Sequence, residues 1–213
     1  VQRSDAAGSA AAGNPFIPDP AQVWGSPEFK RDAKLFANIG LEVAKDREFY
    51  LFTNWAERDV EGGFYYRHPT TRSGVYSNDD GKSLLIGNLD ESLGDCPSIA
   101  AMTGNNIRNH ADIQADVDAL PDHCFTYYGT LPGGFTPKFG GVVTDTAIAS
   151  GVKGLLDSGW AFDASMSIGR SEVEFYIKNT LNPSLGPDTP SAFNPGKYVQ
   201  LEKAANLDFN KPF

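Results

Sequence analysis

Five side chains carry the donor atoms that most often bind transition metals: His68, His110, His123, Cys96 and Cys124. Zinc sites usually bring such residues together through pairs that lie a few positions apart in the chain. No pair here has that spacing, and the only direct neighbours are His123 and Cys124. We therefore predict no metal site and no metal cofactor.

Two groups of acidic residues carry carboxylates that could serve in catalysis or in calcium binding. Glu172 and Glu174 are a carboxylate pair of the kind that glycosidases use, but on a strand both would lie on one exposed face. Residues 78–81, Asn-Asp-Asp-Gly, lack the alternating acids and the distant Glu of a calcium loop, so an Asx turn explains them. Serine-nucleophile, phosphate-binding and dinucleotide motifs are absent from the sequence. We predict no catalytic residues, no cofactor and no enzymatic activity.

The chain contains two cysteines, Cys96 and Cys124, in one long polar stretch. Two lone thiols in a reducing compartment usually stay unpaired, whereas a pair inside one loop suits an oxidising compartment. The spacing leaves both arrangements open. We favour the second and predict a disulfide between Cys96 and Cys124.

Charge and composition restrict the class of protein. The net charge is −9 and the isoelectric point is near 4.7, and no cluster of Lys and Arg is available to neutralise phosphates, so we expect no nucleic-acid partner. No run approaches the roughly 18 consecutive apolar residues of a membrane helix. A barrel remains possible, because barrel strands alternate and give a weaker signal.

Alternation of apolar and polar residues predicts strands with one face exposed to water and the other face apolar. The predicted strands are 34–43, 48–58, 142–154, 160–168 with a continuation to 177, and 197–213. The register of 48–58 is unclear, because its first half is apolar on both faces. In the fourth strand the apolar positions are even-numbered up to Ile168 and odd-numbered from Val173. A bulge, or a strand that passes from one environment into another, would explain this change.

Short turns and long connections alternate between the predicted strands. The connection at 59–141 is rich in Gly, Asn, Asp, Ser and Pro, and it contains one predicted helix at 111–120 that Asn109 could cap. Connections this long are often functional. Short turns at one end and long loops at the other are typical of outer-membrane barrels, whereas the connections of a soluble β-sandwich are more even.

Aromatic residues are concentrated in or beside the long connection. Rings with a polar tip suit ligand stacking, and they also suit loop packing or the aromatic girdle of a membrane barrel. For any one ring we favour girdle or loop packing over ligand contact. These candidate rings are Tyr65, Tyr66, Phe125, Tyr127 and Tyr128, with Phe64 beside them. Trp160, beside a short turn, is predicted to be a girdle residue.

Several stretches resemble TonB-dependent receptors, the β-barrel importers of bacterial outer membranes. The clearest is 179–193, NTLNPSLGPDTPSAF, which follows a strand of the type seen at 160–165 and precedes one of the type seen at 206–209. Residues 48–67 and 132–137 are also similar to the family. The likeness covers about residues 20–213 in the order found in the family.

The resemblance implies an all-β fold: an antiparallel transmembrane β-barrel segment of about five strands, with long extracellular loops and one short loop helix. Residues 1–33 would be a low-complexity or loop segment that enters the barrel. Residues 34–213 would form part of the barrel, with a long extracellular loop at 59–141. The family's barrels are large and closed, and their lumen is plugged. The sequence contains no recognisable plug and no segment for contact with the energy-coupling protein.

The resemblance also implies a function, namely active uptake of a scarce nutrient such as an iron chelate, cobalamin or an oligosaccharide. The expected location is the cell outer membrane of a Gram-negative bacterium. The expected partners are outer-membrane lipid, the plug and remaining strands of the receptor, the TonB energy-coupling complex acting through the plug, and the small-molecule or oligosaccharide ligand. The alternative is an extracellular binding or structural β-protein derived from a receptor-like fragment.

Overall fold

A computed structural model describes residues 2–3, 13–23 and 27–211. Strand accounts for 53% of the residues and helix for 11%, so the protein is all-β and mostly antiparallel, as the alternation predicts. The strands are β1 (Gln2–Arg3), β2 (Gln22–Val23), β3 (Glu28–Ala44), β4 (Arg47–Gly63), β5 (Gly87–Asn88), β6 (Met102–Thr103), β7 (Asn106–Ile107), β8 (Cys124–Phe125), β9 (Lys138–Leu155), β10 (Ala161–Lys178) and β11 (Ala192–Asn210). The helices are α1 (His110–Asp118) and α2 (Tyr127–Thr130), with 3-10 turns at Glu91–Leu93 and Pro183–Asp188. Within the described residues, none of the helices has the length and apolar character needed to cross a membrane.

The five long strands form one sheet in the order β11-β10-β9-β4-β3. These are the five strands that the alternation predicts, and they have 17 to 19 residues. Strand β10 has the predicted length, and the other four are longer than predicted. At about 3.3 Å per residue, such strands are roughly 55–60 Å long. The sequence pattern marks mainly their halves near the short turns, because charged residues obscure the alternation beyond them.

The hairpin of β3 and β4 fixes the register that the sequence left unclear. Lys34 pairs with Ala56, Ile39 pairs with Leu51, and the apolar odd-numbered residues of β3 therefore lie beside odd-numbered residues of β4. Two irregularities on β3, at residues 30 and 43, each insert one extra residue. The tight turn places Asp46 at φ 57°, a left-handed conformation that Asp tolerates.

The chain divides into two compact units. The sheet unit consists of residues 28–61, 140–176 and 195–213, and the loop unit consists of 1–27, 62–139 and 177–194. Within its described residues, the loop unit has a hydrophobic core of its own. The buried members of this core are Val75, Tyr76, Leu84, Ile99, Ala101, Ile113, Tyr127, Tyr128 and Phe135.

The predicted loop helix is present as α1. The side chain of Asn109 accepts a hydrogen bond of 2.9 Å from the backbone N–H of Ala111, which makes it the N-cap. Ile113 is buried in the core, and Val117 and Leu120 pack against it. The helix therefore forms because one of its faces covers the core of the loop unit.

The predicted disulfide is confirmed: Cys96 and Cys124 are bridged, with their Cα atoms 5.7 Å apart. Beside the bridge, β5 pairs with β8 through Asn88 and Cys124. The bridge closes a loop with a sequence separation of 28 residues. In the chain-entropy description, a loop of this size stabilises the folded state by about 3–4 kcal/mol.

Opening the bridge should therefore weaken the loop unit. Reduction should lower the free energy of opening of its core by about 3–4 kcal/mol, measured by hydrogen exchange of the Ile113 and Ala101 amides. The double variant Cys96→Ser/Cys124→Ser should match the reduced protein. A non-reduced digest should contain one cross-linked peptide pair. Two free, alkylatable thiols in untreated protein would contradict the bridge.

Candidate functional site

Side-chain contacts identify the two faces of the sheet. The hydroxyl of Tyr50 donates to the carboxylate of Asp163 at 2.7 Å, and the Tyr50 ring lies over Gly151, where a Cβ atom would be 2.6 Å away. Lys153 forms an ion pair of 3.4 Å with Glu48. Since side chains alternate along a strand, these residues share one side of the sheet, which we call the Tyr50 face.

Near the short turns, the sheet bears a hollow of about 790 Å³ whose lining comes from all five long strands. The carboxylates that line it are Glu42, Asp46, Glu48, Asp163 and Asp208. Two cations, Arg47 and Lys153, also line it, so the hollow has an excess of negative charge. Such a surface accepts hydrogen bonds and attracts cations.

The opposite side, which we call the Leu51 face, is apolar near the short turns and exposed. Leu35 is 68% exposed and Met166 is 64% exposed. Ten large apolar side chains of this face are exposed in the described sheet: Leu35, Ile39, Leu41, Ile148, Met166, Ile168, Val199, Leu201, Leu207 and Phe209. They come from four of the five strands. We call the region that they form the apolar band.

Strand β10 explains the change of parity that the sequence shows after Ile168. The hydroxyl of Tyr176 donates to Asp59 at 2.7 Å, and Asp59, like Leu51, is an odd-numbered residue of β4. Tyr176 therefore lies on the same face as Met166, and β10 runs between them without interruption. The alternation of the backbone is preserved while the chemistry of each face changes. The strand passes from one environment into another, and the bulge explanation does not apply.

Towards the long loops, the Leu51 face is lined by ion pairs. The extra residue on β3 places Lys30 and Arg31 on this face together. Lys30 contacts Glu61 at 2.5 Å and Arg31 contacts Glu57 at 2.5 Å. Glu61 is only 5% exposed, so it depends on its cation for compensation of the buried charge.

A second ion-pair group continues the charged region on the neighbouring strands. The carboxylate of Glu172 contacts both Arg170 and Lys197. Glu172, one of the two acidic residues that the sequence suggests as a catalytic pair, is thus engaged in ion pairs. Similarly, in the turn at 78–81, Asp79 accepts hydrogen bonds from the backbone and side chain of Ser83, at 2.9 and 2.6 Å.

On β10 the boundary between the apolar band and the charged region is sharp. On β10 the first charge of the Leu51 face after Ile168 is Arg170. Between the short turns and this level, the described strand residues of the face carry charge only at Arg47 and Lys203. Arg47 is the first residue of β4, so it lies at the margin of the band. Lys203 lies within the band, between Leu201 and Leu207 on β11.

Loop packing accounts for most of the candidate aromatic residues. Tyr128 is 1% exposed, and its hydroxyl lies 2.7 Å from Nδ1 of His110. The hydroxyl of Tyr127 donates to the carbonyl of Gly186 at 2.8 Å, and the ring of Phe125 packs edge-on against Tyr127. These three rings hold the loop unit together.

Two further candidates lie where β4 enters the loop unit. The hydroxyl of Tyr66 donates to the carbonyl of Gly133 at 2.6 Å. Tyr65 is 52% exposed and packs edge-on against Phe64, which is also exposed, with ring centroids 5.2 Å apart. Arg67 lies 5.5 Å from the Phe64 ring. Of the predicted rings, Tyr65 therefore has the exposure that a ligand contact or a girdle position requires.

The structure also brings together residues that their spacing did not connect. Donor atoms of Cys96, Cys124 and His123 all lie within 4.8 Å of one another. The spacing suggested only that His123 neighbours Cys124, because the approach of Cys96 depends on the pairing of β5 with β8. With the two sulfur atoms bonded to each other, neither is a thiolate, so the bridged form does not offer a thiolate metal site.

No known protein family, curated protein or solved structure matches the chain. The likeness to TonB-dependent receptors therefore stays a prediction from the residues quoted above.

His68 provides a test of the packing of the loop unit. Its Nδ1 accepts from the backbone N–H of Thr70 at 3.2 Å, and burial lowers the pKa of His68 to about 4. The unfolded value is near 6.5, so the unfolded chain binds more protons between about pH 4 and pH 6.5. The stability of the loop unit should therefore fall as the pH drops through this range. Nitrogen-detected NMR of the His68 ring should give a midpoint near 4; a midpoint near 6.5 would show that the ring is solvated.

Proposed function

We propose that the five-stranded sheet is a segment of an outer-membrane β-barrel, and that the chain is part of a TonB-dependent receptor for active uptake of a scarce nutrient. One observation carries the proposal: an exposed apolar band that is bounded by charges. Along β10 and the residue before it, the band extends from Trp160 to Ile168. A tilted barrel strand needs about 9–11 residues to cross a bilayer.

The size of the apolar band means that something must cover it. Burial of one large aliphatic or aromatic side chain is worth about 1.5–3 kcal/mol. Moving ten such side chains from roughly half exposure into hydrocarbon would therefore be worth on the order of 10 kcal/mol. This equals the whole stability of an ordinary domain. Lipid covers such a face without any further protein element.

The dimensions of the band agree with a bilayer. Nine residues at about 3.3 Å, tilted by roughly 40°, give a height of about 23 Å. The apolar band of outer-membrane barrels is about 25 Å tall. The remaining half of each strand would rise beyond the membrane, where the ion pairs of Lys30, Arg31 and Glu172 lie. At the opposite margin, the ammonium of Lys211 lies 5.7 Å from the Trp160 ring, and this end of the band is where the proposal puts a girdle residue.

The lengths of the connections support one orientation of the segment. Outer-membrane barrels have short periplasmic turns and longer extracellular loops. The turns at 45–46 and 156–160 would be periplasmic, and the loop unit with its disulfide would be extracellular. The Tyr50 face would line the lumen, and its acidic hollow would lie near the periplasmic end. Tyr65 and Phe64 would lie at the extracellular end, where a nutrient ligand arrives.

The sheet has two edge strands, β3 and β11. The smallest barrels have eight strands, and an open sheet edge in lipid leaves unpaired backbone groups that cost several kcal/mol each. The proposal therefore includes further receptor strands at both edges. The plug would occupy the lumen, and the TonB energy-coupling complex would act through the plug.

The alternative function is that of an extracellular binding or structural β-protein. The independent core and disulfide of the loop unit favour it, because both are typical of extracellular domains. In this alternative, protein instead of lipid would cover the Leu51 face.

The location of the polypeptide separates the two functions. The protein that carries this chain should fractionate with outer membranes and require detergent for extraction, because the apolar band would otherwise face water. The measurement is density separation of membranes followed by size-exclusion chromatography. A monodisperse monomer obtained without detergent would favour the alternative.

Arginine substitutions on β10 test the lipid contact. Ala164→Arg, in the middle of the band, should reduce assembly of the receptor by about 2–4 kcal/mol, and Ile168→Arg, near its margin, should cost less. Ser165→Arg is the matched control, because Ser165 points to the Tyr50 face. Assembly is measured as the folded fraction in outer membranes. Equal tolerance at Ala164 and Ser165 would contradict the assignment of the two faces.

A further inference from the structure

The loop unit gathers three donor groups around one point. Sγ of Cys96, Sγ of Cys124 and a ring nitrogen of His123 lie within 4.8 Å of one another. In a tetrahedral zinc site, with Zn–S about 2.3 Å and Zn–N about 2.0–2.1 Å, neighbouring ligand atoms are roughly 3.5–4 Å apart. The three groups are thus within reach of one ion once the two sulfur atoms are no longer bonded to each other.

Backbone contacts hold these residues in place independently of the disulfide. Asn88 pairs with Cys124 in the short sheet, and the N–H of Leu89 donates to the carbonyl of His123 at 2.8 Å. The side chain of Asn88 donates to the carbonyl of Gly94 at 2.8 Å. The segment that leads to Cys96 is therefore tied to the 123–125 segment by hydrogen bonds. Reduction of the bridge would leave the two thiols close together.

A backbone carbonyl lies beside the ring of His123. Nε2 of His123 lies 3.3 Å from the carbonyl oxygen of Gly94. When Nε2–H donates to this carbonyl, Nδ1 keeps its lone pair. Metal-bound histidines usually donate their second ring N–H to a carbonyl or a carboxylate, which fixes the tautomer and the orientation of the ring.

We propose that Cys96, Cys124 and His123 form a binding site for a thiophilic divalent ion such as Zn²⁺ when the disulfide is reduced. Two thiolates and one imidazole are ligands of the type that Zn²⁺ prefers. Three protein ligands leave the fourth position to water or to an external ligand. The bridged form and the metal-bound form exclude each other, so the redox state of the bridge controls occupation of the site.

The reaction balances with a dithiol as reductant. The dithiol transfers two electrons and two protons to the bridge and becomes a disulfide, while Cys96 and Cys124 become thiols. Binding of the divalent ion then releases the two thiol protons to solvent. The inference goes beyond nutrient uptake, and it does not depend on whether lipid covers the sheet.

The test uses the full chain in detergent, with Co²⁺ as an optical probe that Zn²⁺ can displace. Reduced protein, kept free of oxygen, should bind one Co²⁺ per chain and show a thiolate-to-cobalt charge-transfer band. Bridged protein should show no such band. His123→Ala should weaken Co²⁺ binding at least about tenfold, since even loss of an outer-shell partner costs 10–100-fold. The exposed neighbour Asp122 gives the matched control, Asp122→Ala, which should bind as tightly as the unchanged chain.

Several outcomes would overturn the site. They are equal Co²⁺ binding by the bridged protein, absence of the charge-transfer band in the reduced protein, and unchanged affinity in His123→Ala. If reduction unfolds the loop unit, Zn²⁺ should restore the hydrogen-exchange protection of the Ile113 amide, because metal binding would then drive folding. Failure of Zn²⁺ to restore this protection would also reject the site.

Discussion

The structure of the sheet unit depends on one constraint, the unbroken pairing of five long antiparallel strands. Because backbone hydrogen bonding keeps side chains alternating from one end of β10 to the other, Met166 and Tyr176 lie on the same face although one belongs to an apolar band and the other to a charged region. The change from apolar to charged residues along β10 therefore separates two regions of the same face of the sheet. The exposed apolar band, the ion pairs beyond it and the acidic hollow on the opposite face all follow from this register.

The loop unit depends on different interactions. Its core is built from side chains such as Tyr76, Ile113 and Tyr128, and the bridge between Cys96 and Cys124 limits the conformations of the unfolded segment. Buried tyrosine hydroxyls find partners, as Tyr128 does at His110. The long connection between β4 and β9 is therefore a folded unit, which allows it to hold donor groups such as His123 in fixed positions.

Local patterns were enough to predict the five strands, the loop helix and the disulfide. The charged halves of the strands were not predictable to the same extent, because Arg31 and Glu57 stand where the alternation would place apolar residues, and only their pairing explains them. The extra residue at Lys30 has no local signal. The approach of Cys96 to His123 depends on contacts between distant segments, which spacing does not reveal. The burial of Tyr127 and Tyr128 likewise depends on a core assembled from distant parts of the chain.

The most direct test of lipid contact is the solvent accessibility of β10 in a bilayer. Nitroxide labels placed singly at positions 162–176, in receptor reconstituted into lipid vesicles, report collisions with oxygen, which is enriched in hydrocarbon, and with a water-soluble nickel chelate. Even-numbered positions from 162 to 168 should favour oxygen, and even-numbered positions from 170 should favour the chelate. If the positions from 162 to 168 instead favour the chelate, or exclude both reagents as in a protein core, lipid does not cover the Leu51 face.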